Sequence, residues 1–169
     1  MRAVYFVNHA HRNQRRQEGV PYVTHLVCVA EIVCGWGCDA ETVMAALLHD
    51  VVEDAEGRLE QIETHFGTNV AMLVDGATKV DHPERVVADK LTQDKISAFY
   101  ERDKRIAYVK LADRIHNLST ISYLEQHRQE RIVAESQTYY VSLALKLGDE
   151  VVISDLSSSL QGLNLKAKS

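Results

Sequence analysis

The stretch Thr42-Val-Met-Ala-Ala-Leu-Leu-His-Asp-Val-Val-Glu-Asp54 constrains this chain more than any other. It opens as an apolar, helix-like run and then sets four ionisable side chains, His49, Asp50, Glu53 and Asp54, among Leu47, Leu48, Val51 and Val52. On one helix of about 3.6 residues per turn, His49 and Glu53 stand four apart, as do Asp50 and Asp54, so all four crowd together. An imidazole and three carboxyls beside so much apolar surface carry a heavy desolvation cost unless something offsets it. A divalent cation is the simplest offset, and the adjacent His-Asp pair suits one.

At 169 residues, one domain with a real core is the default expectation. The only prolines are Pro21 and Pro83, which leaves long stretches free to be helical. A net charge of −5 excludes a general nucleic-acid coat, which needs many phosphate-neutralising cations. It leaves room for a small phosphorylated ligand held by a local basic patch. Cys28, Cys34 and Cys38 are odd in number and lack paired spacing, so neither a disulfide framework nor a structural zinc site is indicated. Reduced, mostly buried thiols are the expectation. The N-terminal apolar run is too short for a signal peptide, and no run approaches the roughly 18 apolar residues of a membrane span. A cytoplasmic protein without membrane association is therefore expected.

Taken in order, Ala3, Phe6, Val7, Ala10 and Gln14 predict a first helix over 3–15, ending in Arg12, Arg15 and Arg16 before Gly19 and Pro21. Alone, that cationic cluster reads as a solvated helix end favoured by the dipole. Thr24 is a plausible N-cap for a second helix, with His25 in its first turn. A lone histidine there is more often a capping or core residue than a ligand. Asp39 or Thr42 can start the central helix, whose pattern fails at Gly57. Amphipathic segments follow over Leu59–Phe66 and Val70–Gly76. From Asp81 to Asp103 the composition turns charged with no clear apolar face until Ile96, and this is expected to be the most mobile or variable part, in places helical. In Arg105–Leu118, Asp113, His116 and Asn117 stand at i, i+3 and i+4 and cut one polar face into an apolar helix. A helical segment over Arg131–Leu147 ends at Gly148, another piece runs over Val151–Leu160, and the tail from Lys166 reads as frayed. The expectation is an all-α, single-domain bundle of roughly seven or more helices.

His25, His49, Asp50 and Asp113 together offer two imidazoles and two carboxylates. That mixture suits manganese, iron or zinc better than calcium, which prefers all-oxygen cages. Four protein ligands leave room for water and substrate only at higher coordination number, which manganese accepts and a closed tetrahedral zinc does not.

Four motifs occur in order: Arg16-x-x-Gly19-x-Pro21-Tyr22-x-x-His25, Ala45 to Asp54, Gly76-Ala-Thr-Lys79, and Lys110-Leu-Ala-Asp-Arg-Ile-His-Asn-Leu-Ser-Thr120. Over about residues 3–148 the chain resembles the hydrolase domain of the RelA/SpoT alarmone enzymes, a branch of the HD-domain metal-dependent phosphohydrolases. The resemblance implies a helical HD-domain bundle that removes the 3′-pyrophosphate of guanosine tetra- and pentaphosphate with one manganese ion. It implies His25, His49, Asp50 and Asp113 as metal ligands, with Glu53 and Asp54 handling the attacking water. Arg16 and Asn117 match nucleotide contacts. Lys79, Lys110 and Arg114 are further cations able to offset pyrophosphate charge. No synthetase domain follows, so a small stand-alone form is expected, its oligomeric state left open. Leu26, Ala55 and Ser119 depart from the usual proline, threonine and arginine, and 81–103 matches poorly. An adenosine alarmone or another 3′- or 2′-phosphorylated nucleotide therefore stands as the alternative substrate.

Overall fold

The computed structural model describes residues 2–54 and 58–166, with side chains over 3–53 and 58–163. The side chain of Asp54, residues Ala55 and Gly57, and the C-terminal tail therefore lie outside the described residues.

The chain folds as helices joined by short turns. In order they are α1 (Arg2–Ala10), α2 (Val23–Gly35), α3 (Ala40–Leu48), α4 (Val51–Asp54), α5 (Leu59–Phe66), α6 (Thr68–Ala77), α7 (Arg85–Arg102), α8 (Arg105–Ser119), α9 (Gln126–Glu135), α10 (Val141–Leu147) and α11 (Glu150–Lys166). A short 3₁₀ turn, Ile121–Tyr123, precedes α9, and one π-helical turn, Ser136–Tyr140, joins α9 to α10. Among the described residues the only β-type pairing is an isolated bridge between Arg15 and Pro21. The all-α expectation holds.

α8 is the axis of the molecule because its sequence is apolar on two faces. Ile106, Val109 and Ala112 face a core built with α2, α3 and α6, including Leu26, Val29, Leu48 and Leu73. Ala107, Leu111 and Leu118 face a second core with Tyr140, Leu143, Val152 and Leu156. The strip between these faces carries Lys110, Asp113, Arg114 and Asn117, spaced i, i+3, i+4 and i+7. Polar side chains are thus forced into the seam between two cores. Gly76 lets α6 close on this axis, since a Cβ there would lie 2.7 Å from the Phe99 ring and 3.1 Å from Ile106.

Several local expectations fail for identifiable reasons. The first helix stops at Ala10, and the bridge at Arg15 draws the following cationic segment back toward Pro21. Thr24 does not cap α2; it lies inside the helix, and its hydroxyl donates to the Pro21 carbonyl at 2.7 Å. The central helix is interrupted at His49 and Asp50, where the His49 ring bonds the Ala46 carbonyl at 2.7 Å and competes with the helical ladder. The 81–103 stretch, expected to be helical in places, forms the eighteen-residue α7, which carries the i,i+4 pairs Arg85–Asp89 and Lys90–Asp94. Its apolar face was illegible because Val86 points to solvent while Ala88 and Ile96 are buried. The cysteines are free, but Cys34 is exposed and the other two only half-buried, against the expectation of burial. Asp39 does cap α3, accepting from the Thr42 amide at 2.8 Å. Gly148 ends α10 with φ 74°.

Candidate metal centre and anion cavity

α2, the α3–α4 break and α8 converge on one buried cluster. His25 comes from the first turn of α2, His49 and Asp50 from the break, and Asp113 from the polar strip of α8, and all four are buried. A ligand atom from each of His25, His49 and Asp113 lies within 4.8 Å of the others. His25 Nε2 is 3.3 Å from Asp113 Oδ1 and 3.5 Å from Asp50 Oδ2. His49 Nε2 is 3.2 Å from Asp50 Oδ2 and 3.6 Å from Asp113 Oδ1.

Neither Nε2 atom makes a hydrogen bond, although both are sealed from solvent. Unsatisfied buried polar atoms are uncommon and expensive, and here two of them face the same pair of carboxylates. Burial alone would raise the Asp113 and Asp50 pKa values. The neighbouring imidazoles hold both carboxyls well below the usual range instead. Burial would likewise lower His49, but Asp50 and Asp113 outweigh it and push His49 up to about 10, so the proton on its Nε2 stands where a cation would bind and would leave as one binds. The cluster thus holds two anionic carboxylates that attract positive charge strongly. Its nitrogen and oxygen donors fit a borderline divalent cation.

A surrounding layer fixes these groups. Tyr22 donates its hydroxyl to Asp50 Oδ2 at 2.7 Å, and His11 stacks on the Tyr22 ring at 4.9 Å. His49 Nδ1 faces the Ala46 carbonyl, so that nitrogen carries the proton and Nε2 is turned to the carboxylates. Asn117 Nδ2 donates to Asp113 Oδ1 at 2.7 Å, while Arg16 donates to Asn117 Oδ1 at 3.0 Å and so fixes the amide's orientation. Arg16 also donates to Thr120 at 3.0 Å.

Asp113, Tyr22 and Asn117 open onto a cavity of about 290 Å³ bounded by the α1–α2 turn, Lys79, the start of α7, α8 and α9. Seven of its lining residues are Arg or Lys and three are Asp or Glu, so this one hollow is cationic in a chain of net charge −5. Arg114 is nearly buried in its wall, donating to Glu135 at 2.7 Å and lying 4.0 Å over the Tyr140 ring. Asp89 links α7 to α9 by pairing with Arg131 at 3.1 Å, and Arg85 pairs with it at 2.9 Å from the same helix.

Glu53 stands on the wall of a neighbouring hollow. It accepts from both the backbone amide and the ammonium of Lys79, the latter at 2.7 Å. Asp50, Glu53 and Asp113 hold the Lys79 ammonium in its charged form. Lys110 departs from its expected place among the substrate cations. It is fully buried, donating to the Ala77 carbonyl at 3.0 Å and lying 3.7 Å from Asp113 Oδ2, and so backs the carboxylate from the protein side.

Sequence reasoning had left out Tyr22 as the Asp50 partner, although it stands inside the Gly19-x-Pro21-Tyr22 motif. It also left out Arg128 and Arg131, whose i, i+3 spacing was the available signal that they share a face on the cavity.

Residues 3–149 match the HD domain family. The chain is 41% identical over 148 residues to "GTP pyrophosphokinase" of Streptomyces coelicolor, covering 87% of this chain and 18% of that protein. It is 41% identical over 150 residues to "Guanosine-3′,5′-bis(diphosphate) 3′-pyrophosphohydrolase" of Haemophilus influenzae, covering 87% of this chain and 22% of that protein. The chain thus spans about a fifth of the length of these curated relatives. A solved structure described as a metazoan ortholog of SpoT that hydrolyzes ppGpp superposes with a TM-score of 0.85 at 26% identity, covering 98% of this chain and 95% of that one. With its His-Asp break, its third and fourth ligand candidates and a match over nearly its whole length, the chain belongs to the HD-domain family.

Proposed function

We propose that this protein hydrolyses the 3′-pyrophosphate of guanosine tetra- and pentaphosphate, releasing pyrophosphate and GDP or GTP, with one manganese ion at His25, His49, Asp50 and Asp113. The observation that carries the reading is the pair of unsatisfied Nε2 atoms facing two buried carboxylates at the edge of a cationic cavity. The names of the Haemophilus and metazoan relatives point to the same reaction. His25, His49, Asp50 and Asp113 would hold the ion, and four mixed nitrogen and oxygen donors would suit manganese better than a closed tetrahedral zinc.

A bound divalent metal supplies a water of lowered pKa and polarises the phosphoryl group. The remaining work falls to the protein. Water attacks the phosphorus attached to the ribose 3′-oxygen; its proton passes to Glu53 or Asp54, and the 3′-oxygen leaves and takes up a proton. Lys79 tethers Glu53 by two contacts and so aims its carboxylate. Arg16, Arg114 and the α9 arginines offset the charge on the two diphosphates, and Asn117 links Arg16 to Asp113 so that ligand and substrate contacts share one network. Lys110 has a supporting role behind Asp113 rather than a substrate contact. The ligand is a nucleotide and the setting cytoplasmic. Among the described residues no helix is long and apolar enough to cross a membrane.

Incubation with guanosine tetraphosphate and manganese tests the proposal, with GDP and pyrophosphate expected in equal amounts. Release of single phosphate would overturn the reaction class. A nucleotide panel in which adenosine alarmones or other 3′- or 2′-phosphorylated nucleotides turn over faster would overturn the base assignment alone.

A further inference from the structure

We propose that His116 is a positioning residue that fixes the tautomer of His25 and thereby sets how tightly the centre holds its metal. The inference rests on the metal-site reading above. His25 Nδ1 lies 2.9 Å from His116 Nδ1, and the two rings sit 4.8 Å apart. Two ring nitrogens at that separation share one proton, so one donates and the other accepts. With the proton on His25 Nδ1, the lone pair of Nε2 faces Asp113 and Asp50 and can bind a cation. With the proton on Nε2, an N–H occupies that direction and the centre is blocked.

The two ligand histidines differ in how this choice is made. His49 Nδ1 faces a backbone carbonyl, which can only accept, so its tautomer is settled by the main chain. His25 faces a side chain instead, so its tautomer is settled by residue 116, which as an acceptor puts the proton on His25 Nδ1. One turn of α8 therefore supplies the ligand Asp113, the Asn117 that holds it, and the His116 that orients His25. Metal-bound histidines usually donate to a carboxylate or carbonyl, and a neutral imidazole is a weaker acceptor than a carboxylate. The His25 position is consequently one at which affinity can be raised as well as lowered.

The test is manganese affinity, measured by calorimetric titration of the full chain without nucleotide, with circular dichroism melts as a folding control. His116→Phe keeps the ring volume and removes the acceptor, and should weaken binding by about 10–100-fold. His116→Asn places an amide oxygen near the Nδ1 position and should recover binding to within about threefold of wild type. His116→Asp should bind at least as tightly as wild type. Phe binding as tightly as wild type, or Asn and Phe weakening it equally, would overturn the inference while leaving the metal site intact. If Phe fails to fold, Asp binding more weakly than Asn overturns it instead. A wild-type chain that binds neither manganese nor zinc would overturn this inference and the metal-site reading together.

Discussion

Two clusters of ionisable side chains lie along α3 and α8, one at the N-terminal ends of both helices and one where α3 ends beside the middle of α8, and only one of the two is complete. At their N-terminal ends Arg105 donates to Asp39 and Glu41 at 2.9 Å and to Asp103 at 2.7 Å, and Asp39 also accepts from Thr42. Every carboxylate there has a partner, and Asp39 and Glu41 are half open to water. Roughly 14 Å further along α3 lies the cluster of His25, His49, Asp50 and Asp113, which is buried and leaves two ring nitrogens unsatisfied. A cluster that satisfies itself at the surface needs no ligand to explain it. One that is buried and incomplete stores a binding energy that only a ligand can release.

The largest expected effect comes from deepening the deficit at the buried end. Asp113→Ala should abolish metal binding and cut pyrophosphate release by about 1,000-fold or more. Asp54→Asn should cost a similar factor while retaining metal, as read by metal content after dialysis. A metal-replete, active Asp113→Ala protein would break the assignment. Completing the deficit should show in stability. Manganese at about 100 times its dissociation constant adds about 2.7 kcal/mol, which raises Tm by roughly 5–10 °C at this size. The same increment is expected in Arg105→Met, because the two ends share no partner. An increment that disappears in that variant would show the ends to be coupled. A smaller effect is expected from the cavity wall. Arg128→Ala should raise KM for guanosine tetraphosphate by about 10–100-fold with a lesser change in kcat, since it removes a phosphate contact distant from the reacting atoms.

Much of this comparison was legible in the sequence. The incomplete cluster announced itself as ionisable residues inside apolar runs, at His49 and Asp50 and again along Asp113, His116 and Asn117, because a buried charge must interrupt a hydrophobic period. Asp39 was legible as a cap, being a short acid just before an apolar helix. The break at His49 was not, since it arises from a side chain bonding the carbonyl three residues back within a run of good helix formers. The face and bounds of α7 were not legible, because its exposed positions include Val86 and Leu91, which erases the amphipathic contrast. Lys110 was misplaced because sequence spacing shows that it shares the Asp113 strip but not which way along the strip its long side chain runs. The Arg105 network depends on residues 64 and 66 positions apart in the chain, which no local pattern reports.

The smallest expected effect lies at the complete end, and its pH dependence separates charge from packing. Arg105→Met should lower Tm at pH 7 by roughly 2–4 °C. Asp39 is held below the usual carboxylate range chiefly by its hydrogen bonds with Thr42, assisted by Arg105, and Asp103 chiefly by its hydrogen bond from Arg105. A carboxyl whose folded pKa lies below its unfolded value contributes stability fully above the unfolded value of about 3.9, and loses that contribution as pH falls through the folded pKa. The difference between wild type and Arg105→Met should therefore be constant from about pH 5 to 8, begin to shrink below about pH 4, and go on shrinking as pH falls through the lowered folded values. Salt at about 1 M should shrink it in part at neutral pH as well, because Asp39 and Glu41 are half exposed and their pairs with Arg105 are screened. Thermal melts across pH and salt measure both trends. A difference that persists unchanged in acid and in salt would mean that the arginine stem, packed against its neighbours, matters more than its charge. The end that looks electrostatically complete would then be held by packing, and the contrast with the buried end would rest on burial alone.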